Sequence, residues 1–275
     1  MVVKPNTDTS MKRVIFLIFG ICALAACSIK EDRHDCPSEF VVVFNGPAEI
    51  AGKSLDFNAL CESSVVCSDR FTYSGGWHER TYFIPRKEQY LIGTHGFPFD
   101  GEYYTVTYGK QCDSLYSGCT VTMPDSETGK DTVILHKNFA TVNLSMKFEG
   151  KEKVNPYDVA VRANYCGIDL RSDTPIEGKF RCWPADFIGP EGFNYHFRLP
   201  RLSFEDGEFE LGFCERESGE EVYTMKFDSD AMYALGYSWR KPNLDDIYID
   251  LTVGETRIDI TIGDWFHSEP IDISF

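Results

Sequence analysis

Leu24-Ala25-Ala26-Cys27 is the one run in this 275-residue chain whose residue types and spacing specify a reaction. Small residues before a cysteine are what a signal peptidase needs ahead of a nucleophilic thiol, and the cysteine then carries fatty acyl chains. Met11-Lys12-Arg13 supplies the basic start, and Val14 to Ala26 supplies thirteen residues without a charge. That apolar run is shorter than the roughly 20 residues a membrane-crossing helix needs, so it reads as a signal h-region. Residues 1–26 are therefore expected to be a cleaved signal with Met11 as the true start, and Cys27 the lipidation site. Each buried methylene contributes about 0.8 kcal/mol and one chain alone binds only marginally, so several chains on one cysteine make a stable membrane anchor.

Other chemistry-bearing groups fall short of a reaction. His78-Glu79 opens a zincin-like motif, but position 82 is Tyr, so the second ligand at i+4 is missing. Gly236-Tyr237-Ser238-Trp239-Arg240 lacks the closing Gly of a nucleophile elbow, and no Gly-rich phosphate loop follows a strand. The six histidines, at 34, 78, 95, 136, 196 and 267, show no ligand spacing. Asp228 with Asp230, and Asp245-Asp246, lack the Gly and distal Glu of a calcium loop. The expectation is a protein without catalysis, cofactor, metal or small-molecule substrate. Asp113-Ser114-Leu115 and Asp131-Thr132-Val133 resemble bacterial O-glycosylation acceptors.

Around the lipid cysteine the chain is built to display a fold at a distance. Ser28 to Asp35 is polar and charged with no hydrophobic periodicity, which reads as a solvated leash over residues 27–35. Lys30-Glu31-Asp32 within it resembles the surface-export signal of Bacteroidales-type lipoproteins, which implies an outer-membrane protein facing the exterior. Net charge is −16, and removing residues 1–26 takes away three basic and one acidic residue, leaving 24 against 42, or −18. Such a chain is repelled by phosphate backbones and anionic headgroups, so nucleic acid is excluded as a partner and the covalent lipid must hold it to the membrane.

Beyond Cys22 and Cys27, eight cysteines remain, an even number that permits up to four disulfides in an oxidising compartment, and there is no CxxC. One pair can be argued: Cys166 and Cys182 flank a turn-rich stretch, Arg171 to Gly178, and a hairpin there would bring them face to face.

From Pro37 onward the dominant pattern has period two. Phe40 to Phe44, Tyr82 to Pro85, Gln89 to Ile92, Thr132 to Leu135, Ala140 to Phe148, Asp158 to Arg162, Tyr195 to Leu199, Phe209 to Phe213 and Val222 to Phe227 read as short strands between breakers. Tyr104, Val106 and Tyr108, and Val121 and Met123, alternate with threonines, as strands with one wet face do. Only Asp228 to Gly236 has room for a helix. The fold class is all-β, with two sandwiches, at 36–137 and 138–275. Placing Gly254-Glu255 in a type II′ turn pairs Leu251 with Ile258, Ile249 with Ile260 and Ile247 with Ile262, giving one aliphatic face.

Asp35-Cys36-Pro37 after the leash, Tyr108 to Tyr116, Leu135 to Ala140, Asn164 to Leu170, Leu244 to Ile247 and Gly263-Asp264-Trp265 together resemble the FimB/Mfa-type fimbrillin anchor family. Its members are the lipid-anchored minor subunits of type V pili. The resemblance implies two tandem transthyretin-like β-sandwich domains, no catalysis, and a fimbrial stalk subunit as partner through β-strand donation. It also implies that Phe40 to Phe44 is a retained first strand. At the far end Ile271, Ile273 and Phe275 alternate with polar residues, which suits either an ordinary last strand or one lent to a neighbour; the resemblance points to the donor. A rival function is glycan capture, with Trp77, Trp183, Trp239, Trp265 and Tyr103-Tyr104 stacking on sugar rings.

Overall fold

The computed structural model describes residues 36–97, 101–148, 154–189 and 192–253, and the backbone of 258–262. The first half contains β1 (Pro37–Asn45), β2 (Ser54–Cys61), β3 (Ser64–Thr72), β4 (His78–Pro85), β5 (Gln89–His95), β6 (Tyr103–Thr105), β7 (Tyr116–Thr122), β8 (Thr128–Ile134) and β9 (His136–Lys137). β1 lies between β4, antiparallel, and β8, parallel. The facing sheet runs β3-β2-β5-β7-β9. Alternation makes this a sandwich, because Phe40, Val42 and Phe44 of β1 point one way into a core shared with Leu55, Phe57 and Leu91. Phe44 meets Phe57 edge-on at 5.4 Å, and Phe57 stacks on Tyr82 at 4.5 Å.

The second half repeats the plan with β10 (Phe139–Phe148), β11 (Tyr157–Asp169), β12 (Thr174–Cys182), β13 (Asp186–Gly189), β14 (Gly192–Pro200), β15 (Glu208–Glu215), β16 (Glu221–Asp228), α1 (Ser229–Ala234), β17 (Ile247–Val253) and β18 (Ile258–Ile262). β10 stands where β1 stood, antiparallel to β14 and parallel to β17. β12-β11-β15-β16 repeats the order β3-β2-β5-β7, each pair antiparallel. The fold is thus two β-sandwiches of one topology, with β13 and β18 added at the ends of the sheet that holds β10. Among the described residues no helix is long and apolar enough to cross a membrane.

A two-residue strand, β9, joins them, and the chain changes cores between Phe139 and Ala140. The halves also interlock. β6 of the first half pairs with Gly167–Asp169 of β11, and Ile168 and Leu170 are buried in the first half's core. Asn138, 1% exposed, donates to Ser117 Oγ at 2.7 Å and Asp173 Oδ1 at 3.0 Å, and accepts from Arg201 Nε at 2.7 Å. The Arg201 guanidinium gives its other N–H groups to the carbonyls of Lys137, Trp239, Lys241 and Pro242.

Several sequence expectations need correction. β17 and β18 pair Ile249 with Ile262, Leu251 with Ile260 and Val253 with Ile258, which is not the register expected from a two-residue turn at Gly254-Glu255, residues that lie outside the described set. The slip is by two positions, which keeps every side chain on its face; a slip of one would not. Tyr104 to Tyr108 is a strand only over Tyr103–Thr105; Tyr104 is buried and Tyr108 is 62% exposed. Val121 of β7 and Met123, just past its end, are 51% and 62% exposed. The helix at Asp228 to Gly236 forms over Ser229–Ala234; Asp228 caps it by accepting from the Ala231 N–H, and Gly236, at φ +82°, ends it.

Candidate functional site

A single β1 strand completes the first sandwich. Phe40 faces Tyr82 and Gly129, Val42 faces Arg80 and Asp131, and Phe44 faces His78 and Val133. The fit is close: the Phe40 ring lies where a side chain at Gly129 would be, 2.4 Å from an ideal Cβ, so only glycine serves there. Phe40, Val42, Val43 and Phe44 are 0–3% exposed. Burying each contributes about 1.5–3 kcal/mol, so the four together rival the 5–15 kcal/mol that holds a typical domain folded. Without β1, or a strand in its place, this half loses the strand between β4 and β8 and the core side chains Phe40, Val42 and Phe44. Its two seams are also closed: Arg80 and Tyr82 of β4 bind the Asp69 carboxylate of β3 at 2.9 and 3.0 Å, and Thr120 of β7 donates to the Thr132 carbonyl of β8. Those donors hold the Asp69 carboxyl below its ordinary value, against the upward push of its burial.

Cys27, Lys30, Glu31 and Asp32 at one end, and Ile271, Ile273, Phe275 and Trp265 at the other, lie outside the described residues. β18 stands at the end of its sheet, with the C-terminal segment following it in the chain.

Cys166 and Cys182 do not face one another. β11 and β12 form the expected hairpin, but Cys182 pairs with Val161, five positions, or about 16 Å, along the strand from Cys166. That is beyond the roughly 7 Å a disulfide spans. Cys166 instead faces Gly178, whose missing side chain leaves room for its sulfur. Irregular pairing at Ala163 to Gly167, invisible to a count of residues, sets this register. The eight described cysteines are free thiols. Burial pushes Cys112, Cys119 and Cys182 up to about 12, which leaves them uncharged and inert.

Other singled-out groups are spent on structure. His78 accepts from the Ser74 N–H through Nδ1 and stacks on Phe71 at 5.0 Å; Glu79 pairs with Lys130. Asp245 pairs with Lys241 and Asp246 with Lys137. Ser238 Oγ accepts from the Arg240 N–H. Asp113 accepts from the Tyr104 hydroxyl at 3.0 Å. Of the aromatic residues, Trp77, Tyr103 and Trp183 are 69%, 59% and 49% exposed, whereas Trp239 is 4% exposed at the junction. Trp183 carries the Arg181 guanidinium on one face at 4.6 Å. Sequence reasoning missed Asn138, Asp173 and Arg201, which are far apart in the chain and meet only because β9 and the β11–β12 turn converge.

No protein family matches the sequence, and no curated protein matches it. Solved structures do share its fold. The fimbrial anchor protein Mfa2 from Porphyromonas gingivalis, 14% identical, superposes with a TM-score of 0.62 over 85% of this chain and 100% of its own. A protein from Bacteroides thetaiotaomicron described as polysaccharide-binding is 11% identical, with a TM-score of 0.63 over 85% of this chain and 99% of its own. One from Bacteroides ovatus described as an adhesin is 11% identical, with a TM-score of 0.59 over 84% and 95%. The fold is therefore one that a fimbrial anchor protein and proteins described as polysaccharide-binding and as an adhesin share over 84–85% of this chain.

Proposed function

We propose that this chain is a lipid-anchored surface protein that holds a fimbria to the outer membrane and ends its assembly. The observation that carries the reading is the placement of β1, its own chain, at the centre of the first sandwich. A subunit that receives a strand from a neighbour must leave that position vacant, because backbone pairing and side-chain pockets are what a donated strand uses. Here the position is filled and both seams are tied, which fits the subunit beyond which the polymer does not grow. The likeness of fold to a fimbrial anchor over 85% of this chain supports it. In this reading Cys27 bears the acyl chains, residues 28–35 form the leash, and Ile271, Ile273 and Phe275 enter the sheet of the stalk subunit above. The chain performs this by binding alone, without catalysis or cofactor.

Deleting residues 269–275 tests the proposal, with Cys27→Ala beside it. The truncated protein should stay folded and membrane-bound while long filaments appear in the medium; Cys27→Ala should lose palmitate labelling and leave the membrane with its fold intact. A truncated protein that melts far below the parent would return the segment to its own core and remove it as donor.

A further inference from the structure

A cleft of about 600 Å³ opens where the sandwiches meet, within the about 300–1,000 Å³ usual for small-molecule sites. It is lined by β9, the start of β12, residues 201–205 and the turn 239–242. Two of its lining residues carry unmet hydrogen-bonding atoms. The indole N–H of Trp239, a residue 4% exposed, has no acceptor, and Nδ1, the buried nitrogen of the half-buried His136 ring, has no partner. Leaving a buried polar atom unpaired costs about 1–3 kcal/mol, and native structures hold few of them. Two in one cleft are a reason to look for what completes them.

The rest of the lining says what that is. Arg201 cannot serve, since all its donors are spent on Asn138 and four carbonyls; it fixes the turn that presents Trp239. Asp173 sits in a left-handed turn at φ +55°, with Oδ1 accepting from Asn138, so its second oxygen is an available acceptor. Arg240 lies over the Phe204 ring at 3.9 Å and has no carboxylate partner among the described residues. The cleft thus offers a donor at Trp239, an amphoteric nitrogen at His136, an acceptor at Asp173, and the Phe204 ring, which carries the Arg240 cation over one face. A sugar ring answers all four at once, with hydroxyls that both donate and accept and a C–H face that stacks on aromatic rings. A polyanion is disfavoured by the Asp173 and Glu205 carboxylates. A peptide added as a strand is disfavoured too, because the sheet edge in the lining includes Pro175, which has no N–H to give.

We propose that this cleft binds a neutral, hexose-containing oligosaccharide. The site is independent of the fimbrial role and stands or falls separately from it. The test uses the full chain labelled with 5-fluorotryptophan in a zwitterionic, sugar-free detergent, titrated with cellotriose, maltotriose, mannotriose and N-acetylchitotriose, with a heparin-derived tetrasaccharide as the acidic comparison. At least one neutral trisaccharide should shift the Trp239 fluorine resonance saturably, assigned by its loss in Trp239→Phe. Calorimetric affinity for that sugar should fall at least tenfold in Trp239→Phe. Arg240→Ala, at an exposed position that does not threaten the fold, should lower it severalfold. No shift at Trp239 with any neutral trisaccharide would overturn the proposal and leave the cleft to water. So would tighter binding of the heparin fragment, a shift confined to the other three tryptophans, or unchanged affinity in Arg240→Ala.

Discussion

In the first sandwich β2 and β5 are buried on both faces, whereas in the second the matching strands β11 and β15 sit in a sheet whose outer face is largely wet. Leu55, Phe57 and Leu91 belong to the inner face of the first, and Leu60 and Ile92, on the opposite face, are buried as well. What covers that outer face comes in part from the other half: Ile168 and Leu170 of the β11–β12 hairpin join the first core. The second sandwich receives little in return, since nearly all of its core residues lie between Ala140 and Leu251. One topology has been finished in two ways. The first sandwich leans on its neighbour, and the second stands on its own core and extends its sheet outward through β13 and β18.

The sharpest way to break this comparison is to remove β1. Deleting residues 37–45 takes four buried apolar side chains from a core of typical stability, and no other described strand can replace them. Hydrogen exchange should show protection lost throughout residues 54–134 and kept in β10, β11, β14, β15 and β17. Protection kept in β2 and β5 would mean that β1 is not what completes the first half.

Cutting the chain gives a smaller but asymmetric effect. We expect residues 138–275 to fold alone, with a circular-dichroism spectrum of β type, because their buried core is their own and the cut costs only the cover over Ile168 and Leu170 and the backbone bonds that residues 106–112 make to Cys166, Arg181 and Arg198. Residues 36–137 alone should aggregate, since Leu60, Ile92, Leu115 and Tyr116 lose their cover. If both pieces fold, or neither does, the dependence is not one-sided.

What the sequence disclosed follows the same division. Ala140, Val142, Leu144 and Met146 alternate cleanly because β10 has one core face, and strands of that kind announce themselves. β2 is buried on both sides, so Leu55 to Cys61 shows no alternation, and it went unread together with β3, an edge strand of mostly exposed residues. The β17–β18 register was misplaced by two because a shift of two leaves the aliphatic face intact, and hydrophobic patterning has no power to detect it. The junction was illegible for another reason. Asn138 and Arg201 are separated by 63 positions, and nothing local to either announces a buried network.

Asn138→Ala would sharpen the comparison at that network. It strips Arg201 Nε and Ser117 of a partner inside the protein, at a cost of about 1–3 kcal/mol. Because the loss falls where the halves are tied, calorimetry should show the single transition of the parent splitting in two, with the first sandwich melting lower. A uniform downward shift without splitting would mean that the halves are coupled by their other contacts, the pairing of β6 with β11 and the burial of Ile168 and Leu170 among them.

The smallest effect should come from His136, whose half-buried ring lies at the same junction. Burial pushes its pKa below the ordinary histidine value, the Arg201 cation pushes the same way, and Asp173 opposes them. A depressed histidine pKa means that the folded state prefers the neutral ring, so its contribution is fully present above the unfolded value near 6.5 and is lost as pH falls through the lower, folded value. Asp173 has the opposite sign. Burial raises its carboxyl despite Arg201, His136 and Asn138, so protonation favours the folded state and offsets part of the loss further down the pH scale. Melting temperature should therefore fall between neutral pH and pH 5, first in the half that leans on the junction, and His136→Gln should flatten that fall. The ring is partly solvated, which keeps the effect well below that of Asn138→Ala. An unchanged pH profile in His136→Gln would place the acid sensitivity of the molecule elsewhere and leave the junction a purely packed and hydrogen-bonded contact.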